Sequence, residues 1–199
     1  DPVTYAPVGI EDLNGPYGCN NDPQRQDQYS QELQLVGATE RWKYVGGLFY
    51  FDETADEYNQ QRLTFVLPGG QAGLNLAPVS AFGGDTTSKA IFAQVSYRPP
   101  VLEDKLEITV GGRYTKDNKT FWSDAFAEKG DQDFDNDSWL FSLNYQFTDE
   151  LMAYARVSTG YKAGGFSPRA AVISSFEPEE ATAYEAGLKT EWFDKRVRA

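Results

Sequence analysis

Apolar and polar residues alternate along this chain with a period of two. In the stretch KLEITVGGRYT, Leu106, Ile108, Val110, Gly112 and Tyr114 share one face of an extended backbone. Glu107, Thr109, Gly111, Arg113 and Thr115 share the other. SWLFSLNYQF sets Trp139, Phe141, Leu143, Tyr145 and Phe147 against Ser138, Leu140, Ser142, Asn144 and Gln146. AIFAQVSYRP sets Ile91, Ala93, Val95 and Tyr97 against Phe92, Gln94, Ser96 and Arg98, and YEAGLKTEW sets Tyr184, Ala186, Leu188 and Trp192 against Glu185, Lys189 and Glu191. From Leu151 the same rule puts Leu151, Ala153, Ala155 and Val157 opposite Met152, Tyr154, Arg156 and Ser158, before Gly160, Gly164 and Gly165 release the chain. Weaker versions run over 30–37 and 42–51. Almost no 3.6-residue pattern occurs, so the chain reads as all-β with about seven strands.

Alternation alone fits a soluble sandwich as well as a membrane barrel. The connections separate the two. Short links at 38–41, 99–104, 148–150 and 193–196 alternate with long polar segments at 52–88, 116–137 and 161–182. Tight turns at one end and long loops at the other describe an antiparallel transmembrane meander, with periplasmic turns and extracellular loops. Strands near ten residues exceed the ~5 to 6 usual in soluble sheets. Aromatic residues gather at the expected heights: Tyr97, Tyr145, Phe147, Trp192 and Phe193 by the short turns, and Tyr114, Trp139 and Tyr184 toward the long loops. On this reading the apolar faces meet lipid. Glu107, Arg113, Arg156, Glu185 and Lys189 then fall on the lumen side, which avoids roughly 2 to 4 kcal/mol for each mid-depth arginine.

Composition narrows the function classes. A net charge of -12, from 18 Lys and Arg against 30 Asp and Glu, repels nucleic acid. The absence of histidine removes Ser-His-Asp catalysis and His-ligated zinc within these 199 residues. Cys19 is alone and is expected to be a bystander thiol. No apolar run approaches the ~18 residues of a transmembrane helix, which a barrel does not need. The first 28 residues, rich in turn formers, are expected to form an extracellular loop, and 62–70 a short hairpin arm in the next one. The chain begins at Asp1 without a methionine and stops at Ala199 in the middle of a patterned stretch, so it is expected to be a fragment of a longer protein.

Several local signals carry no chemistry. Asp131, Asp133, Asp135 and Asp137 resemble a calcium loop, but Asn136 stands where the EF-hand needs glycine and Ser142 where it needs glutamate. A solvated acidic loop is expected, with calcium left to shared carboxylates between loops. GYKAGGF lacks the order of a phosphate-cradling loop, and Glu179, Glu180 and Glu185 read as loop and lumen charge. Tyr161, Lys162, Phe166 and Arg169 combine rings and positive charge in one external loop, which reads either as a solvated loop whose basic residues pair with nearby acids or as a contact for an anionic, aromatic chelate.

YQFTDELMAYARVSTGYKAGGF, followed by FEPEEATAYEAGLKTEW, resembles the central and later barrel of TonB-dependent outer-membrane receptors. QYSQELQLVG, GGLFYFDE and LEITVGGRYTKDNKTF fit the same family in the same order, so the resemblance runs from about Tyr29 onward. It implies a partial barrel domain over 1–199, roughly a third of a 22-stranded barrel, with the plug domain and its energy-coupling box outside this segment. It also implies a bacterial outer-membrane transporter rather than an enzyme, without a cofactor. Such a receptor takes up a large scarce nutrient, a ferric siderophore above all, with TonB acting through the plug. A passive porin or adhesin barrel and a soluble carbohydrate-binding β-sandwich remain as alternatives.

Overall fold

The computed structural model describes residues 24–60, 63–66, 72–76, 79–124, 129–167, 173–193 and 196–199. Cys19 and Arg169 lie outside them. The strands are β1 (Gln24–Ala38), β2 (Trp42–Gln60), β3 (Leu63–Val66), β4 (Ala72–Leu76), β5 (Val79–Tyr97), β6 (Leu106–Ser123), β7 (Gly130–Thr148), β8 (Leu151–Lys162), β9 (Gly165–Phe166), β10 (Ser175–Phe176), β11 (Glu179–Trp192) and β12 (Val197–Arg198). Eight of them form one sheet in the order β1-β2-β5-β6-β7-β8-β11-β12, and the pairings throughout are antiparallel. The β3–β4 hairpin occupies the arm expected near 62–70.

The sheet has one apolar face and one polar face, and nothing described packs over the apolar one. Across it run rows such as Leu33, Leu48, Ile91 and Tyr114, then Tyr44, Val95, Val110, Phe141, Val157 and Tyr184. Leu35, Ile91, Val110 and Leu188 are 72%, 57%, 55% and 64% exposed. Only Ala90, Phe121 and Phe134 are buried apolar residues among those described, and all three lie on the polar face. A sandwich requires the reverse, with the apolar residues of two sheets interdigitated between them. The apolar face therefore has hydrocarbon as its natural counterpart.

Aromatic residues frame that face. Trp42 and Tyr97 stack at 4.1 Å near the short turns, and Tyr145 meets Phe147 edge-on at 4.7 Å. Eight residues separate Trp42 from Tyr50, Phe147 from Trp139, and Trp192 from Tyr184. That spacing is ~27 Å along a strand, or ~21 Å in height at a tilt of ~40°, close to the ~25 Å apolar band of an outer-membrane barrel. Trp42 and Tyr44 belong to the frame although the sequence reading did not single them out. Their two-residue spacing directly after the 38–41 link was the available signal.

The short links all lie at one end. At the first, Thr39 Oγ1 accepts the Trp42 amide at 3.0 Å. The longest of them carries Leu102, Glu103 and Asp104 at φ of 53°, 59° and 60°, strain of roughly 1–2 kcal/mol per residue. Arg41 Nη1 bridges across to Asp104 Oδ1 at 2.7 Å, tying this link to its neighbour.

The far end differs from expectation. Segments 52–88 and 116–137 are largely strand, because β2, β5, β6 and β7 run 18 or 19 residues each. Gln24 to Gln28, expected in a loop, begin β1. The ladder continues past the apolar band because hydrogen-bonded polar pairs replace apolar ones. Asn118 Nδ2 donates to Asp131 and Asp133 at 2.9 and 3.0 Å, and Asp85 accepts from Thr54 and Thr120 at 2.7 and 3.2 Å. The four aspartates expected in an acidic loop therefore stand exposed in a row on β7, about 7 Å apart. At that spacing no three carboxylates converge, and the described residues contain no metal-holding cluster.

The two faces predict opposite responses to charge. Val110→Lys should destabilise the complete protein by about 2–4 kcal/mol when it folds into lipid vesicles, whereas Gln94→Lys, on the polar face, should change stability by less than about 0.5 kcal/mol. Urea titration in vesicles measures both; equal costs would contradict the assignment of faces.

Candidate functional site

The polar face at the long-loop end carries an aromatic cluster. β7 and β8 pair only as far as Leu140 opposite Ser158, and there Thr159 Oγ1 accepts the Trp139 amide at 2.9 Å. Beyond that point β8 keeps β11 alone as its partner, and the chain folds over the polar face as the β9–β10 hairpin. The Phe166 ring stacks on Phe121 at 5.7 Å and 18°, and Phe121 meets Phe82 at 6.4 Å. Gln132 Nε2 donates to Ser175 Oγ at 3.1 Å, which holds the hairpin to β7.

Glycine makes this close approach possible at two positions. A Cβ on Gly164 would lie 2.3 Å from the Phe176 carbonyl oxygen and 2.5 Å from the Phe134 ring. One on Gly130 would lie 2.4 Å from the Phe166 ring. The glycines after Tyr161 thus serve as seats for rings, beyond releasing the chain.

Between the hairpin and the upper ends of β1, β2, β5 and β6 lies a cavity of about 450 Å³. Phe82, Phe121, Phe166 and Phe176 supply ring surfaces; Glu53, Asp56, Glu57, Lys119 and Arg25 supply charge. Glu53 accepts from Gln26 at 2.8 Å, and Arg25 pairs with Asp27 at 2.8 Å. Such a cavity suits a ligand with flat, weakly polar rings and hydrogen-bonding groups at its margin.

The four residues expected to contact ligand are placed differently from one another. Phe166 lines the cavity. Lys162 lies 3.9 Å from Glu179, both largely exposed, a pairing that leaves its charge accessible. Tyr161 turns inward: its hydroxyl is buried beside Asp117 without a well-formed hydrogen bond, and burial, followed by the charge of Asp117 and its contact with the hydroxyl, pushes the pKa up to about 12. Arg169 is outside the described residues.

The charges expected in the lumen all stand on the polar face. Glu107 binds Lys43 at 3.1 Å and Arg98 at 3.2 Å near the short turns. At mid-depth Arg113 lies 5.1 Å from the Phe49 ring and 5.8 Å from Phe92, and its Nε donates to Thr115 Oγ1 at 3.1 Å. Arg156 stands opposite both Ser142 and Glu185, and Lys189 lies 5.2 Å from the Tyr154 ring. Sequence reasoning missed Phe82, Phe121, Phe134 and Phe176. The partners of Phe82, Phe121 and Phe134 lie tens of residues away, and those of Phe176 lie across the β9–β10 hairpin, so no local spacing announces them.

With this geometry, the comparison with known proteins is direct. The family model described as "TonB dependent receptor-like, beta-barrel" matches residues 4–199. The chain belongs to that family, whose members are transport receptors rather than enzymes. Among solved structures it resembles the ferric yersiniabactin uptake receptor FyuA of Yersinia pestis, with TM-score 0.71 and 21% identity over 86% of this chain and 27% of that one. It also resembles the siderophore receptor PiuA of Acinetobacter baumannii, with TM-score 0.68 and 13% identity over 89% and 31%. The ferric-catecholate import receptor Fiu of E. coli K12, in its closed form, gives TM-score 0.61 and 12% identity over 89% and 30%. At these identities the likeness concerns the fold. The chain spans about 27–31% of the length of these structures.

The ring cluster makes a prediction. In the complete receptor, Phe121→Ala should cost about 3 kcal/mol and loosen the β9–β10 hairpin, read as faster amide exchange over 164–167 and 173–176. Tyr161→Phe should change stability by less than about 1 kcal/mol, because the hydroxyl lies beside Asp117 without a well-formed hydrogen bond. A larger loss would show that the Asp117 contact is a full hydrogen bond.

Proposed function

We propose that this chain is the ligand-facing part of an outer-membrane receptor that imports a ferric siderophore or similar iron chelate. The observation that carries the reading is the aromatic cavity at the long-loop end, on the face that closes inward when the sheet completes a barrel. Phe166 stacks on a ring of the ligand. Tyr161, Lys162 and Arg169 shape and charge the surrounding loop, and the cations attract an anionic chelate. Lipid covers the apolar face. Energy arrives from the TonB complex through a plug domain outside this segment, and the ligand crosses without any bond being made or broken. Nucleic acid has no role.

The structural relatives named for ferric yersiniabactin, siderophores and ferric catecholates favour iron chelates as the ligand class. The test uses cells that depend on the complete receptor for iron. Radioiron uptake is measured with a panel of phenolate, catecholate, hydroxamate and citrate chelates, with and without TonB. One chelate should enter in a TonB-dependent way, and Phe166→Ala should weaken its binding about tenfold. Lys162→Gln combined with Arg169→Gln should weaken an anionic chelate more than a neutral one. Entry of none of the panel, or entry independent of TonB, would contradict the proposal.

A further inference from the structure

The cavity beneath the β9–β10 hairpin has a charge pattern that the import reading leaves unused. On the polar face of β2, Glu53 and Glu57 stand on either side of Ala55, with ~13 Å between their Cα atoms. Ala55 lies opposite Gly84, where a Cβ would come 2.3 Å from the Thr120 carbonyl oxygen. Two small residues therefore leave a depression between the carboxylates. The β5–β6 register also lapses here, between Gly83 opposite Trp122 and Thr86 opposite Lys119. Phe82 stands opposite Glu57, and Phe121 and Phe166, stacked on each other, line the same cavity.

The charges around this depression favour a cation. Glu53, Asp56 and Glu57 line the cavity together with Arg25 and Lys119. Arg25 is held by Asp27 at 2.8 Å, which leaves Lys119 to face three carboxylates. Lys119 stands two strands from Glu53 with Thr86 between them, ~10 Å away, and is in no ion pair with a described residue. Glu177, next to Phe176 in the chain, adds a further negative charge beside the cavity. Glu53 accepts from Gln26 through Oε2 alone, and Glu57 is in no ion pair with a described residue. Aromatic faces are themselves negative, so they attract cations and repel anions. Rings and carboxylates together suit a protonated amine, whose hydrogens donate to the carboxylates while its carbons meet the rings.

We propose that the cavity takes a protonated amine arm of the transported chelate, its ammonium between Glu53 and Glu57 above Ala55 and its carbons against Phe82, Phe121 and Phe166. The inference rests on the import reading and adds which part of the ligand enters: the anionic iron-binding groups meet Lys162 at the loop, and Glu53 and Glu57 select the arm. An acylated arm brings the carboxylates no cation, and a carboxylate-ended arm sets like charges against each other, so both are disfavoured.

The test measures binding to the complete receptor in detergent micelles, by quenching of tryptophan fluorescence, for two synthetic ferric catecholates. They are identical except that one bears a pendant primary amine and the other its N-acetyl derivative. Wild type should bind the amine form about tenfold more tightly, with the difference shrinking as salt rises. E53Q combined with E57Q should bring the two forms within about twofold of each other, and E57Q alone should narrow the difference to about threefold. K119Q should widen it, because a like charge is removed from the neighbourhood of the ammonium. Equal binding of the two forms by wild type, a preference that survives the double variant, or binding of neither form would overturn the inference. Each of these leaves the import reading standing if any natural chelate of the uptake panel enters in a TonB-dependent way. An amine preference without TonB-dependent uptake of any chelate would support the selectivity of the cavity and sink the import reading.

Discussion

A backbone that crosses hydrocarbon must satisfy every N–H and C=O within the protein, since the solvent offers no partner. This constraint accounts for the ladder from β1 to β11, whose neighbours are joined in a nearly unbroken register along the stretch that carries the apolar face. It also accounts for the inverted distribution of side chains. Where a soluble sheet would hide Leu48, Ile91, Val110 and Leu143, this one presents them outward and buries Thr109, Thr115, Asp117 and Ser142 on the other face. The polar residues are buried among hydrogen-bonding neighbours, as in the Ser96 and Thr109 pair at 2.8 Å, so their burial costs little.

The same constraint relaxes above the aromatic frame, and there the protein changes character. Once water bathes both faces, a strand needs no apolar side, and the ladder is carried by amide, hydroxyl and carboxylate pairs. At the junction β8 leaves β7, and the freed hairpin carries Phe166 onto Phe121. The cavity is thus a consequence of where membrane pairing stops. Its rings come from β5, β6 and the two short strands, brought together by that fold-over.

What was legible in the sequence follows from this division. Inside the bilayer, period-two alternation is imposed by two different solvents, so the strands, their faces and the ends of the sheet could be read from single residues such as Val110 and Arg113. Above it, Asp131 to Asp137 alternate with Gln132, Phe134 and Asn136 without an apolar face, and the composition of a loop concealed a strand. The site was legible only where a residue was locally conspicuous. Phe166 follows a glycine pair, whereas Phe121 and Phe82 acquire meaning only when strands far apart in sequence align. Tyr161 was conspicuous as a ring beside Lys162 in a loop-like stretch, but the burial of its hydroxyl beside Asp117 could not be read from that local pattern.

The central claim is that hydrocarbon covers one face of β7 and a polar interior the other. Spin labels on single cysteines at each position from 138 to 147, in the complete receptor with Cys19 replaced by serine, report it directly through collision with dissolved oxygen, which concentrates in lipid. Positions 139, 141, 143, 145 and 147 should be oxygen-rich and the even positions oxygen-poor, with a period of two across the strand. A flat profile, or maxima on the even positions, would contradict the account.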